Sequence, residues 1–323
     1  MARSQDDLAV LITEDFRDFD YIFDRAHLIS TLKEECPKLK VYAGPKDLEP
    51  LEWAQKSLEL NPVSLANGNT REWALADPST WRASFDEWLE NNAAEYSEES
   101  PVLVNIGRPV FQWPMSYETP PFRKAFGRIL QYQLDARDLA AETLYELSQQ
   151  FNLGLDPAQG LFRNAFFGAH LRTAKDAHDA HWPGYEAQSL VYLMQAEQNA
   201  LSVIYVSSGS ESDAERFVQD AAIKNMHVTD KESLLKGKSL ERLQNMTWDQ
   251  QGIIDYEVLL KSSSFGGISQ SSFSWNIGLR RNVLSIFNDL EAMTVGPHSL
   301  SDEYSQVYGA PGASAVISLA MWP

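Results

Sequence analysis

The chain has 323 residues, of which 44% are hydrophobic and 22% are charged; these proportions fit an ordinary globular protein and exclude a disordered or fibrous one. It contains 27 lysines and arginines against 45 aspartates and glutamates, so its formal net charge is −18. Because so acidic a surface repels nucleic-acid backbones and anionic membranes, we expect neither as a partner.

The first part of the chain predicts short strands alternating with helices. Apolar stretches typical of strands occupy residues 8–12, 40–44 and 102–107. Apolar residues at helical spacing predict helices near residues 24–35, 80–92, 120–133 and 135–151. We place a domain boundary after residue 150, which gives an N-terminal domain over 1–150 and a C-terminal domain over 151–323.

From residue 165 onward the pattern becomes a regular alternation of strands and helices. Strands are predicted at 165–172, 202–208 and 227–230, with helices at 184–200 and 210–225. This order is typical of parallel strands with right-handed crossovers, and therefore of a doubly wound α/β layer. Ligands of such sheets bind outside the carboxyl ends of the strands. The candidate segments there are His170 to Arg172, Ser207 to Ser210 and Ser269 to Ser274.

His170 and Arg172 alternate along a predicted strand and therefore point to the same face. An arginine in so apolar a strand needs a partner for its guanidinium. The partner is either a phosphate, which the planar fork binds well, or a carboxylate such as Asp176 in a buried ion pair. The spacing alone leaves both interpretations open.

Two serine-rich segments could bind an anion through backbone N–H groups. Ser208 lies where a strand ends and a helix begins, although simple capping by Ser210 explains that segment as well. The stretch from Ser262 to Ser274 precedes Arg280 and Arg281. It resembles either a phosphate cradle or a flexible polar loop, and composition favours the loop.

Several common enzyme fingerprints are absent. The chain has no G-x-S-x-G elbow, P-loop or G-x-G-x-x-G motif. Three histidines and two aspartates lie within residues 170–181, but His178-x-x-His181 fits no common zinc motif, and we predict no metal site. Cys36 is the only cysteine, and residues 1–16 lack the apolar stretch of a secretion signal. We therefore expect a cytoplasmic protein.

Three blocks together resemble the GDP-fucose protein O-fucosyltransferase family, especially its divergent fungal members. The blocks are FDYIFDRAHLISTLKEECPKLKVY at 19–42, FFGAHLRTAKDA at 166–177 and IIDYEVLLKSSSFGGISQSSFSWNIGLRR at 253–281. The second is similar to the family strand that ends in His-x-Arg. The third is similar to the family series of an acid, glycine, Ser-Ser-Phe-Ser and arginine.

The resemblance implies an α/β, GT-B-like architecture, with two Rossmann-like domains facing across a cleft. It implies a GDP-fucose-like nucleotide sugar as co-substrate, with no cofactor required. Arg172 would contact the donor diphosphate and assist the departure of GDP, with His170 beside it. Asp255 would hold the base or ribose side of the nucleotide. The phosphates would lie against Ser271, Ser272 and Phe273.

The chain departs from the family at its beginning. Family members start with a strand and a Gly-Gly-x-x-Asn-type loop near the sugar, whereas no glycine precedes Gly44 here. We therefore expect a truncated first domain. Besides a glycosyltransferase, two alternatives stay open. One is a cyclase or isomerase of fungal secondary metabolism, acting on a small apolar substrate in the same cleft. The other is a non-catalytic binding protein.

Overall fold

The structure, a computed structural model, describes much of the later half of the chain and parts of the first half. The described residues are 17–35, 37–42, 44–52, 56–60, 65, 81–93, 96–97, 100–105, 129–284 and 300–309. The chain divides into two compact units: residues 1–24 with 131–315, and residues 25–130 with 316–323. The boundary proposed after residue 150 falls inside the first of these units, since the helix over 134–151 packs on the helix over 248–261 of the same unit.

In its described residues, the unit formed by residues 25–130 and 316–323 has two helices and a small parallel sheet. Its described elements are α1 (Arg25–Glu35), a 3-10 turn (Pro45–Asp47), β1 (Ser57–Glu59), α2 (Trp81–Asn92) and β2 (Leu103–Asn105). Strands β1 and β2 pair in parallel, with Ser57 opposite Leu103. The predicted helices near 24–35 and 80–92 and the strand within 102–107 are confirmed.

Other predictions for the first part of the chain are wrong or fall outside the described residues. Residues 40–42 form no strand, and Lys40 lies 5.3 Å over the Tyr42 ring instead of in a ladder. Residues 129–133 are not helical, so the predicted end of the helix over 120–133 is wrong, and the rest of that prediction lies outside the described residues. The predicted strand at 8–12 lies outside the described residues.

The larger unit is built around one mostly parallel sheet. Its strands are β3 (Phe167–Leu171), β4 (Val203–Ser208), β5 (His227–Thr229), β6 (Ser264–Ile268), β7 (Leu300–Ser301) and β8 (Ser305–Tyr308). Their spatial order is β5-β4-β3-β6-β8-β7, and β7 alone of these strands pairs antiparallel. The parallel α/β layer predicted from residue 165 onward is confirmed.

Eight described helices accompany this sheet, in addition to a 3-10 turn at Phe19–Tyr21. They are α3 (Leu134–Phe151), α4 (Lys175–Asp179), α5 (Tyr185–Gln198), α6 (Glu211–Ile223), α7 (Lys231–Leu234), α8 (Gly237–Gln244), α9 (Trp248–Lys261) and α10 (Ser272–Leu284). Local sequence sets several of the starts. Ser210 accepts a hydrogen bond from the Asp213 N–H, and Thr247 forms a capping box with Gln250, as their spacing predicts.

The two faces of the sheet differ in polarity because side chains alternate along each strand. One face belongs to the apolar core and includes Phe167, Ala169 and Leu171 of β3, packed with residues of α5 and α6. The opposite face has buried polar side chains, among them His170 and Ser207, which occupy paired positions in β3 and β4. This second face carries the candidate site.

The segment from Ser262 to Ser274 is not the flexible loop that its composition favours. Residues 264–268 form β6, which is fully buried between β3 and β8. Glycine is required there by space: a Cβ on Gly266 would lie 2.8 Å from atoms of both the Phe167 and Tyr192 rings. Strand propensity does not predict β6, because glycine is unfavourable in strands. Glycine occurs here because the gap between close-packed aromatic rings leaves no space for a side chain.

We predict that Gly266→Ala destabilises the protein by about 1–3 kcal/mol, since the added methyl group overpacks rigid rings. Gly252→Ala is the matched control, because nothing lies within 4 Å of a Cβ there and the residue is in helix α9. It should be neutral or stabilising by up to about 1 kcal/mol. Urea unfolding followed by circular dichroism measures both. Equal stabilities of the two variants would contradict the packing of β6.

Candidate functional site

The candidate site lies where the chain connections of the sheet change direction. From β3 the chain proceeds to β4 on one side, whereas β6 lies on the other side of β3 and leads towards β8. Such a topological switch point opens a crevice at the carboxyl ends of the strands. His170 is the penultimate residue of β3, and Arg172 directly follows the strand. The sequence prediction that both lie at a strand's carboxyl end is confirmed.

Hydrogen bonds, an ion pair and two indole rings hold Arg172 in place. Its backbone N–H donates to Gln188 Oε1 at 2.8 Å, and its carbonyl accepts from Gln188 Nε2 at 2.9 Å. Its Nη2 donates to Asp176, and the guanidinium carbon lies 5.9 Å from the ring centres of both Trp182 and Trp248. Only 8% of the residue is exposed. The ion pair and the two indoles therefore fix a charge almost out of water.

The other terminal nitrogen of Arg172, Nη1, is buried and has no hydrogen-bond partner among the described residues. The hydroxyl of Thr173 is also buried and has no hydrogen-bond partner among the described residues. Leaving a buried donor unsatisfied costs free energy, so such a donor is expected to bind a water molecule, an ion or a ligand. The carboxylate interpretation of Arg172 is confirmed for Nη2, which pairs with Asp176, whereas the contact of Nη1 with a phosphate stays a prediction.

Arg172 and Thr173 line a cleft of about 560 Å³. Trp182 and Asp213 also line this cleft, which lies beside the starts of α4, α5 and α6. A Cβ on Gly209 would lie 3.8 Å from Arg172 Nη1 and 3.1 Å from the Cβ of Ala174. The backbone at the start of α6 thus approaches the guanidinium closely, which a larger residue would hinder.

His170 is a neutral side chain inside this site. Burial, together with the positive charge of Arg172, lowers its pKa to about 3. Its Nδ1 lies 2.8 Å from Ser274 Oγ, and Ser274 Oγ accepts from the Ile268 N–H at 3.2 Å. The Phe273 ring packs on the imidazole with a centre-to-centre distance of 4.6 Å. The ring is therefore fixed in position and uncharged at physiological pH.

The predicted phosphate-binding serines occupy two places. Ser271 is buried just before α10, and Ser272 is the exposed first residue of that helix, one step from Phe273. The Ser208 hydroxyl instead forms a turn with Ser210, accepting from its N–H and donating to its carbonyl, both at 3.1 Å. The structure thus brings the start of α10 to His170 and leaves Ser208 engaged at the end of β4. Their contacts with a phosphate stay a prediction.

Asp255 is the centre of a buried polar network on the same face of the sheet. Its carboxylate accepts from Tyr205 Oη at 2.7 Å, Ser207 Oγ at 3.0 Å and Lys231 Nζ at 2.9 Å. Burial alone would lower the pKa of Lys231, but the charges of Asp255 and Glu232 outweigh it, and the pKa lies above the usual range. The carboxylate already serves three donors of the protein. Its predicted contact with the nucleotide stays a prediction.

Arg281, considered for a phosphate cradle with Arg280, is a structural residue. It is completely buried, and its guanidinium donates to backbone carbonyls of Leu259, Leu260, Ser262 and Tyr304. It cannot reach an anion from solvent, because these hydrogen bonds hold its guanidinium in the interior of the protein. Arg280 lies over the Tyr256 ring at 5.6 Å. The cradle interpretation is therefore wrong for Arg281.

Trp248 is the part of this site that sequence reasoning did not identify. Its capping box predicts that a helix begins there, but not that the indole lies over Arg172. That contact joins residues 76 positions apart, which only the packing of α9 on the sheet brings together. Within the described ranges, no three His, Cys, Asp or Glu side chains are grouped as metal ligands. No helix of the described chain is both long and apolar enough to cross a membrane.

A parallel sheet with a buried, partly unpaired guanidinium at its switch point defines an α/β protein with a candidate binding site at the carboxyl ends of its strands. The chain belongs to the GDP-fucose protein O-fucosyltransferase family, whose family model matches residues 5–284. A search among curated proteins found no match.

Solved structures of POFUT1 are among those that match the fold. One complex with GDP-fucose has 13% identity and a TM-score of 0.43, covering 73% of this chain and 59% of its own. A GDP complex and a second GDP-fucose complex each have 12% identity and cover 90% of this chain and 84% of theirs, with TM-scores of 0.48 and 0.50. The chain thus spans less than two thirds of the first of these structures. The likeness at 0.50 confirms the predicted α/β, GT-B-like fold class; the truncated first domain stays a prediction.

We predict that Asp255→Ala destabilises the protein by about 3–5 kcal/mol, because it removes the buried partner of the Lys231 ammonium, leaving only Glu232 at 3.2 Å, and takes the acceptor from the Tyr205 and Ser207 hydroxyls. Lys224→Ala is the control: it breaks an exposed pair with Glu197 at 2.7 Å and should cost less than about 1 kcal/mol. Urea unfolding at pH 7 measures both losses. A loss below about 1 kcal/mol for Asp255→Ala would contradict the buried network.

The depressed pKa of His170 predicts a dependence of stability on pH. The unfolded chain binds the proton near the ordinary value of 6.5, whereas the folded chain binds it near 3. Acid therefore favours unfolding, and this contribution to stability is complete above about pH 6.5 and is lost as the pH falls towards 3. His170→Gln should reduce the loss of unfolding free energy between pH 6.5 and 4. His227 is exposed, so the control His227→Gln should leave that loss unchanged. Identical pH profiles for wild type and His170→Gln would contradict a buried neutral ring.

Proposed function

We propose that the protein is a glycosyltransferase that transfers a sugar from a GDP-sugar, with GDP-fucose as the first candidate donor. Family membership supports the class of reaction. The POFUT1 complexes with GDP-fucose and GDP support the choice of donor. The observation that carries the proposal is a pair of buried polar atoms without a hydrogen-bond partner in the described chain, Nη1 of Arg172 and the Thr173 hydroxyl, which belong to two residues that line the cleft.

Arg172 would act on the leaving group. As the bond between the sugar and the β-phosphate breaks, negative charge develops on the phosphate oxygen. A guanidinium stays protonated, and Nη1 can donate to that oxygen while Nη2 remains on Asp176. Because the ion pair and the indoles already fix the side chain, little reorganisation is needed as the charge develops.

His170 and the start of α10 would hold the rest of the donor. The Ile268 N–H donates to Ser274 Oγ, so the Ser274 hydroxyl hydrogen can point to His170 Nδ1. In that arrangement Nε2 carries the hydrogen and can donate to a donor hydroxyl. The backbone N–H groups after Ser271 begin a 13-residue helix, whose positive end favours a phosphate.

The remaining features belong to the same proposal. The donor is the co-substrate, and we propose no additional cofactor, since Arg172 and the helix start supply positive charge. Asp255 supports the site by accepting a hydrogen bond from Ser207, which lies opposite His170 on the neighbouring strand. We keep the cytoplasm as the expected compartment, on the basis of the single cysteine.

The test is binding of GDP by isothermal titration calorimetry. Arg172→Ala should weaken binding about thirtyfold to a thousandfold, the range for a lost charge-assisted contact in a desolvated site. Arg172→Lys should recover only part of the affinity, because an ammonium cannot pair with Asp176 and reach the phosphate as a planar fork does.

Arg242→Ala is the matched control, since this exposed arginine pairs with Asp138 on the surface. Its affinity for GDP should equal that of the wild type. Wild-type protein that binds no GDP at millimolar concentration would contradict the proposal. The repurposed biosynthetic enzyme and the binding protein would then remain as alternatives.

A further inference from the structure

We propose that Tyr21 is a positioning residue that holds Trp248 over the guanidinium of Arg172 and so tunes the affinity of the anion site. The inference rests on the proposed function, because it takes Arg172 as the group that binds the donor diphosphate. Tyr21 itself does not line the cleft. It acts through the start of helix α9.

Trp248 is placed by the helix that it begins. It is the first residue of α9, directly after the N-cap Thr247, so the orientation of that helix start determines where the indole lies. The indole ring centre lies 5.9 Å from the guanidinium carbon of Arg172. Its Cζ2 would lie 3.7 Å from a Cβ on Gly209, at the turn that faces Nη1. The ring thus covers one face of the cation and excludes water from that side.

Tyr21 joins this helix start from a distant part of the chain. Its phenol hydroxyl hydrogen-bonds with Thr247 Oγ1, and its carbonyl accepts from Gln250 Nε2 at 3.1 Å. The two residues that it contacts are the two members of the capping box of α9. The phenol therefore adds a third, long-range bond to a local cap, at the residue that precedes Trp248.

The segment that carries Tyr21 is itself anchored. The Gln133 N–H donates to the Ile22 carbonyl at 2.9 Å, and the Asp24 N–H donates to the Gln131 carbonyl at 2.8 Å. The Phe23 ring stacks on Tyr132 with 5.5 Å between ring centres. Tyr21 is therefore tied to the backbone that leads into α3, and its hydroxyl is a fixed point for Thr247.

The physical consequence concerns binding more than folding. Without the phenol hydroxyl, the local cap of α9 remains, but the N-cap loses its external support. Trp248 then samples more positions, and the guanidinium becomes more hydrated on that face. Since a hydrated cation binds an anion less tightly, affinity for a phosphate ligand should fall while the helix stays formed.

A double-mutant cycle on GDP affinity tests this inference in the full-length protein. Tyr21→Phe removes only the hydroxyl and should weaken GDP binding about threefold to tenfold. In a Trp248→Leu background, the same substitution should change affinity less than about twofold, because residues that act through one another are not additive. Thr247→Ser keeps the hydroxyl and should bind GDP as the wild type does, whereas Thr247→Val should resemble Tyr21→Phe. The exposed Tyr145 gives the control Tyr145→Phe, which should have no effect.

Each outcome decides for or against the inference. Unchanged affinity in Tyr21→Phe, or effects of Tyr21→Phe and Trp248→Leu that simply add, would overturn it while the wild type still binds GDP. A wild type that binds neither GDP nor pyrophosphate would overturn the proposed function and this inference together. Circular dichroism at the assay temperature confirms that the compared variants are folded, and a fall in helix content that accounts for the lost affinity would also count against a positioning role.

Discussion

A guanidinium that is buried yet only partly paired is the feature on which this site depends. Asp176 holds Nη2 of Arg172, Gln188 fixes its backbone, and the ring centres of Trp182 and Trp248 each lie 5.9 Å from its guanidinium carbon. These contacts keep a charge inside the protein while Nη1 has no partner in the described chain. The Asp176 carboxylate offsets the buried charge, and the unsatisfied donor is the observation from which we propose that the site binds an anion.

The other buried cations of the described chain show how different this arrangement is. Lys231 donates to Asp255, and Arg281 donates to several backbone carbonyls and to Ser305 Oγ. Both serve the architecture, since Lys231 links α7 to α9, and Arg281 links α10 to the end of α9 and to β8. The polar face of the sheet thus contains paired charges that support the fold and one partly available charge at the switch point. The pairing state of each cation, not its burial, separates the structural residues from the candidate functional one.

Local sequence signals predicted much of this fold and only part of the site. The alternation of strands and helices from residue 165 located β3, β4 and β5, and the caps at Ser210 and Thr247 located two helix starts. Strand β6 was not predicted, because glycine has a low strand propensity and is required here by the small space between aromatic rings of neighbouring elements. The role of Arg281 and the position of Trp248 depend on helix packing in the same way. Contacts between distant parts of the chain leave no signature in a single sequence.

The most direct test of the central claim is a crystal structure of the protein with GDP. The account predicts a phosphate oxygen within about 2.7–2.9 Å of Arg172 Nη1, the range for a charge-assisted hydrogen bond, with Nη2 still on Asp176. A diphosphate bound elsewhere, with Nη1 still lacking a partner, would contradict it.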